Sequence, residues 1–300
     1  MRLRRGVAVL HRGPGVSQIG LARPVVVTGL SAGEQEALAA LEGGRVAPSR
    51  LGPTVRRALR DAVRAGHLEG DAEAPDGLTV GILGAGAVGL AAARALARHG
   101  HRVEFSDPSP ASVEAPGVFS TPLPGQSCAG AAVRELLAAV PLAAARTGLS
   151  RPDAAIAVAM GAPDPVAWLP LLRTDTPHVL VTTDECGVDV GPLVLPGASA
   201  CARCLTLERA QADPLWPVLA LQCGAARRPV VEPHVAELAG SLAAAMLLAW
   251  ASGLRRGGSG SAAAWALNAV WRVEPLGPPS VRPAWPHPEC GCGAVEEAAA

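Results

Sequence analysis

The fold this chain predicts is a doubly wound α/β sheet behind a small α+β module, and three observations predict it. The apolar run Leu78-Thr-Val-Gly-Ile-Leu83 leads straight into Gly84-Ala-Gly86-Ala-Val-Gly89, a strand ending in a glycine-rich turn that opens a helix. Beyond that turn, strand-length and helix-length apolar runs alternate, the pattern of parallel βαβ units. Ahead of it, the polar stretch Asp71-Ala-Glu-Ala-Pro-Asp76 sets off residues 1–70, which carry an apolar pattern of their own.

Within residues 1–70 the β-branched runs at 7–10 and 25–28 read as short strands. Ser31 and Glu34 form a capping box for a helix with Leu38 and Leu41 on one face. Residues 52–67 read as a second helix, with Val55, Leu59, Val63 and His67 at helical spacing. Two strands with two or three helices at this size predict a winged-helix-like module. Residues 71–77 then serve as a linker, and residues 78–293 make the larger domain. There, 87–99 is a helix and 102–106 a strand closed by Asp107, completing the first βαβ unit of a Rossmann-like sheet. Further helices are expected at 130–145, 166–172 and 237–250, and strands at 154–159, 178–182 and 265–273. Residues 294–300 read as a disordered tail.

Charge excludes several classes of partner. The 26 basic residues are all arginine and balance 26 acidic ones, so there is no general attraction to nucleic acid or to an anionic membrane. A chain without lysine cannot use a lysine ammonium. The apolar run after the basic N-terminus breaks at His11-Arg12-Gly13, too short for a signal-peptide core. The uncharged, alanine-rich stretch 238–254 reads as a buried helix rather than a membrane span. A cytoplasmic protein is expected.

Cysteine spacing points to a metal. Cys201-Ala-Arg-Cys204 and Cys290-Gly-Cys292 are two close pairs, and four thiolates so arranged can close a tetrahedral zinc site with no position left for water. The expected role is structural. Cys128, Cys186 and Cys223 read as small buried hydrophobes. Cys223 is the weak candidate for a reactive thiol, and His287 is expected to fix the second knuckle or to hydrogen-bond a ligand sulfur. In the glycine turn, Gly84 permits the tight bend, Gly86 lets backbone approach a phosphate and Gly89 allows helix–strand packing. Asp107 stands where a carboxylate accepts from a ribose hydroxyl.

The glycine turn, Asp107, the knuckle Pro196-Gly-Ala-Ser-Ala-Cys201-Ala-Arg-Cys204 and a long apolar helix between the cysteine pairs occur in the order seen in the ThiF superfamily. The chain resembles these ubiquitin-activating and sulfur-carrier-activating enzymes over residues 76–293. The resemblance implies ATP with magnesium, bound at Gly84, Gly86, Gly89 and Asp107. It also implies adenylation of the C-terminal glycine of a ubiquitin-like carrier protein or peptide, and a homodimer. The segments Val190-Gly-Pro-Leu-Val-Leu-Pro-Gly, Asp213-Pro-Leu-Trp-Pro217 and His287-Pro-Glu-Cys-Gly-Cys292 resemble one branch more closely. In that branch a ThiF-like domain partners azoline-forming cyclodehydratases of ribosomal peptides, and a winged-helix-like module grips the leader peptide.

The chain departs from the active pattern at several positions. Asp107 is followed by Pro-Ser-Pro-Ala-Ser-Val instead of the Asn and Arg that hold ATP phosphates, and no arginine lies between Asp107 and Arg134. The expected lysine cannot exist, and the Asp expected after strand 154–159 is replaced in register by Met160-Gly-Ala, with Asp164 a few residues late. Arg94, Arg98 and Arg134 are the cations left to compensate. The expected function is therefore a ThiF-like protein degenerate in adenylation, which binds a precursor peptide or small carrier and presents it to a partner modifying enzyme. An active adenylyltransferase is the alternative. An NAD(P)-dependent oxidoreductase rests on the glycine turn and Asp107 alone, and a chain with neither tyrosine nor lysine has no Tyr-x-x-x-Lys pair.

Overall fold

The computed structural model describes residues 2–4, 6–43, 52–65, 67–69, 77–114, 116–224, 228–255 and 263–293. Residues 71–76 of the expected linker 71–77, and the tail at 294–300, lie outside the described residues. The chain divides into two compact units, Met1–Pro75 and Asp76–Ala300.

In the first unit, β1 (Arg2–Leu3) is followed by β2 (Val9–Gly13), β3 (Val16–Ile19) and β4 (Val25–Val27), an antiparallel three-stranded meander. Helices α1 (Ala32–Gly43) and α2 (Pro53–Arg64) follow, and β5 (Leu68–Glu69) pairs back antiparallel onto β1. Sequence pattern finds the outer strands but not β3, because Gly13-Pro-Gly15 hides a hairpin turn inside what reads as one irregular stretch. The capping box at α1 forms as expected: Glu34 N–H donates to Ser31 Oγ and Ser31 N–H donates to Glu34 Oε2 at 3.0 Å. Helix α2 starts on proline, whose missing N–H needs no partner there, and stops at Arg64, short of the expected His67. Its buried stripe is Val55, Ala58, Leu59 and Ala62, while Val63 faces solvent. These residues pack with Ile19, Leu38 and Leu41 in a core belonging to this unit.

The second unit is a mixed eight-stranded sheet of Rossmann-like form. Strand β6 (Thr79–Leu83), helix α3 (Ala87–Arg98) and strand β7 (Arg102–Ser106) make the βαβ unit that the glycine turn predicts. Helix α4 (Cys128–Ala139) ends earlier than the expected 130–145, two residues ahead of Pro141, which cannot continue a helix. Residues Ala145–Thr147 instead form β8, parallel to β7 at the sheet edge. Then come β9 (Ala154–Met160), α5 (Pro165–Arg173), β10 (His178–Asp184), β11 (Gly187–Val194), α6 (Ala202–Ala212), α7 (Trp216–Cys223), α8 (Pro233–Arg255), β12 (Ala269–Val273) and β13 (Ser280–Pro283). The late strand is shorter than the expected 265–273. Spatial order is β13-β12-β11-β10-β9-β6-β7-β8, with β6 to β10 parallel and β11 to β13 antiparallel. The direction of winding reverses between β6 and β9, so a crevice opens beyond their carboxyl ends.

Helices cover both faces. Alternation along β10 sends Val179 and Val181 toward the core shared with α3, α4 and α8, and Leu180 toward that shared with α5 and α6. Helix α8 is long and apolar enough to cross a membrane by length and composition, and half of that stretch is buried. Val235, Ala239, Ala243, Met246 and Leu247 form its inward stripe, so hydrophobic packing within this unit accounts for its composition. Its crossing with α3 is close: a Cβ at Gly240 would come within 2.6 Å of Ala91 Cβ and of Ala92 N. Gly240→Leu is accordingly expected to force the two helices apart and lower stability by about 2 kcal/mol or more, read as a fall in denaturation midpoint.

Candidate functional site

Two clusters of chemistry-bearing side chains stand out in the second unit. One lies at the crevice beyond β6 and β9. Gly84 turns the chain there at φ +90°, and a Cβ on it would strike the Val158 carbonyl at 2.4 Å, so only glycine lets β6 hand over to α3 beside β9. Asp107, at the end of β7, is buried at 3% side-chain exposure. Its Oδ2 accepts from Ala85 N–H at 2.9 Å and its Oδ1 from Ser109 N–H at 3.1 Å, which fastens the glycine turn to the β7 end.

Among the described residues, the cation at this crevice is Arg228, which follows α7 and precedes α8. Its guanidinium donates to both Asp107 oxygens at 3.3 Å, to Ser109 Oγ at 2.9 Å and to the Glu114 carboxylate. A carboxylate offers about four acceptor positions. Two amides and a guanidinium together occupy those of Asp107, so a ribose hydroxyl finds no free one. Glu114 follows a short 3-10 turn (Ala111–Val113), and its oxygens stand where a Cβ on Gly86 would meet them at 2.7 and 2.9 Å. A carboxylate therefore sits over the N-terminus of α3, on the approach that a phosphate would use. As it stands, the crevice does not fit ATP.

The expected compensating arginines are elsewhere. Arg94 pairs with Glu237 of α8, and Arg134 bonds Gln126 Oε1 at 3.0 Å and the Thr121 carbonyl at 2.7 Å. Arg98 is exposed in the last turn of α3, about 16 Å along the helix axis from the glycine turn. Asp164 caps α5, accepting from Val166 N–H at 2.9 Å.

The remaining cysteines divide three ways. Cys128 is buried beside the crevice as expected. Burial, reinforced by the Asp107 and Glu114 charges, pushes its thiol up to about 12. Cys186 is exposed in the β10–β11 turn, not buried, because Asp184 Oδ1 accepts from Cys186 N–H and Gly187 N–H and holds the turn at the surface. Cys223 is half-buried, at the last position of α7. Its Sγ lies against Gly161, where a Cβ would meet it at 2.6 Å, just past the carboxyl end of β9.

The second cluster is Cys201, Cys204, Cys290 and Cys292, whose sulfurs all lie within 4.8 Å of one another. Measured pairs are 3.8 Å (Cys201–Cys204), 3.5 Å (Cys201–Cys290) and 3.7 Å (Cys204–Cys292). A disulfide needs about 2.05 Å. A tetrahedral ion with metal–sulfur bonds of about 2.3 Å sets its ligands about 3.8 Å apart, so this group can hold a metal ion. The Cys201 thiol hydrogen bond holds the Cys204 sulfur well below the ordinary thiol range, aided by the His287 backbone amide. His287 also fixes the knuckle: its Nδ1 accepts from Glu289 N–H at 3.1 Å and its carbonyl from Cys290 N–H at 2.9 Å.

Sequence reasoning missed Glu114 and Arg228, which no motif marks. It also missed a surface network on the antiparallel half of the sheet. There Arg272 bonds Asp184 at 2.6 Å and Asp189 at 3.3 Å, and Arg209 stacks at 4.6 Å over the Trp216 ring.

No protein-family model and no curated protein sequence matches the chain. Among solved structures it is similar to E. coli MccB in complex with AMPCPP and selenomethionine MccA, at TM-score 0.60 and 14% identity, over 98% of this chain and 99% of that one. The microcin C7 biosynthetic enzyme MccB with N-formylated MccA gives TM-score 0.60 and 14% identity over 97% and 99%. The heterocyclase TruD gives TM-score 0.58 and 15% identity over 99% of this chain and 43% of TruD. At these identities the likeness is one of fold.

Thiol reactivity should follow the burial pattern. Brief iodoacetamide treatment of the native protein at pH 8, read by peptide mass mapping, is expected to alkylate Cys186 and to leave Cys128 unmodified until the fold is denatured.

Proposed function

We propose that the chain is a ThiF-like peptide-handling protein, degenerate in adenylation, that binds a precursor peptide or small carrier and presents it to a partner modifying enzyme. The observation behind this reading is the extent of the fold likeness. It runs over 97–98% of the chain, first unit included, to MccB structures that hold MccA, and over 99% of it to the heterocyclase TruD. Selenomethionine labelling and N-formylation are chemistry of a translated polypeptide, so MccA suits the peptide half of the proposal.

Residues 1–70 act in it as the winged-helix-like grip, 71–77 as a linker, 78–293 as the ThiF-like domain and 294–300 as a tail. Among the described residues β2 and β4 are the outer strands of the three-stranded sheet, and outer strands offer backbone donors and acceptors to an extended peptide. Val26 on β4 is 45% exposed, and Leu21 before it 73%. The test is fluorescence anisotropy of a labelled precursor peptide from a neighbouring gene. Val26→Asp is expected to weaken binding by about tenfold or more. Full affinity after removal of residues 1–70 would overturn the reading.

Within the same proposal the four-cysteine cluster holds a structural zinc that ties the start of α6 to the C-terminal knuckle. Such a site is worth on the order of 10 kcal/mol of binding free energy at neutral pH. Elemental analysis is expected to find zinc in the protein as purified. Cys204→Ser should lose both the metal and much of the thermal stability.

The second reading is an active adenylyltransferase that binds ATP at Gly84, Gly86, Gly89 and Asp107, with Cys223 as acceptor thiol. The MccB complex with AMPCPP favours it, and the Glu114–Arg228 pair opposes it. It requires pyrophosphate exchange with a carrier ending in glycine, and absence of exchange removes it.

A further inference from the structure

We propose that Glu114 is an internal substitute for a phosphate which, latched by Arg228, closes the crevice to nucleotides. The inference rests on the nucleotide-type reading of the glycine turn and is independent of peptide binding by residues 1–70.

The N-terminus of α3 has no side-chain cap from its own N-cap residue, Gly86. Such a terminus favours an anion. Here the anion is supplied from within the fold, since Glu114 reaches Gly86 so closely that its carboxylate fills the space a Cβ there would need. The turn that carries Glu114 is anchored rather than loose. Ala111 N–H donates to the Gln126 carbonyl at 2.8 Å, and Pro110 bridges to Ser127, the residue that caps α4.

Arg228 completes the closure by bonding Glu114, Asp107 and Ser109 at once. Glu114 and Asp107 keep only 10% and 3% of their side-chain surface exposed. Among the described residues, two carboxylates against one guanidinium give this cluster a net charge of −1. A polyphosphate therefore meets an occupied helix terminus and a repulsive field, and it can enter only by displacing Glu114. Once Glu114 is displaced, the same guanidinium faces the incoming phosphate. Arg228 is thus both the latch of the closed crevice and the cation of an opened one, a role that the missing phosphate-binding residues leave vacant.

The test is calorimetric titration of the full chain with magnesium ATP and with inorganic tripolyphosphate. The wild-type protein is expected to show no uptake of either up to about 1 mM. Glu114→Ala should gain affinity for both by at least about tenfold, and Glu114→Ala with Arg228→Ala should lose that gain. Glu114→Gln keeps the bulk and the acceptor for Arg228 while removing the charge, and it carries the test if the alanine variant melts early. Micromolar ATP binding by the wild type would overturn the proposal. So would folded Glu114 variants that bind polyphosphate no better than the wild type. Peptide anisotropy reads neither result, so failure of the peptide-handling reading and failure of this one are told apart.

Discussion

A carboxylate removed from water must find partners that favour its charged form, and Asp107 imposes that demand on everything around it. It is met from three parts of the chain: the Ala85 amide of the glycine turn, the Ser109 amide just beyond β7, and the Arg228 guanidinium that arrives after α7. Arg228 is drawn into the crevice by this demand, and Glu114 shares its guanidinium there. The arrangement at the head of the parallel strands is therefore an electrostatic consequence of one aspartate at the end of β7.

How much of this was legible in the sequence depended on whether the signal was local. The strand–turn–helix at 78–98 and the capping box at Ser31 are written in neighbouring residues, and both appear where the pattern puts them. The cysteine pairs are each local, and only their meeting is long-range, so chemistry was enough to associate them. The Arg228–Asp107 contact joins residues 121 apart, and no periodicity or spacing announces it. Strand β11 was hidden for a different reason: Asp189, Gly191 and Pro192 break the apolar alternation that marks a strand. The α4 boundary was overrun because alanine-rich sequence after Pro141 still looks helical, although its backbone pairs with β7 instead.

A chain that has arginine in place of every lysine also distributes its ion pairs in a particular way. Planar, forked guanidinium groups engage several acceptors at once. Arg228 spans three side chains at the crevice, and Arg272 spans Asp184, Asp189 and Glu274 on the antiparallel strands. Each fixes loop ends that would otherwise be joined only by backbone.

The seam between α3 and α8 has a consequence of its own. At its tightest point Gly240 meets Ala91 and Ala92, and none of these three residues has side-chain rotamers to freeze. Ordering that crossing point thus carries no side-chain entropy penalty, and the close approach of the two helices there depends on the missing Cβ of Gly240. Helix α3, which starts at the glycine turn, is thereby held against α8 at a point where neither helix can shift away without opening a gap that no side chain is there to fill.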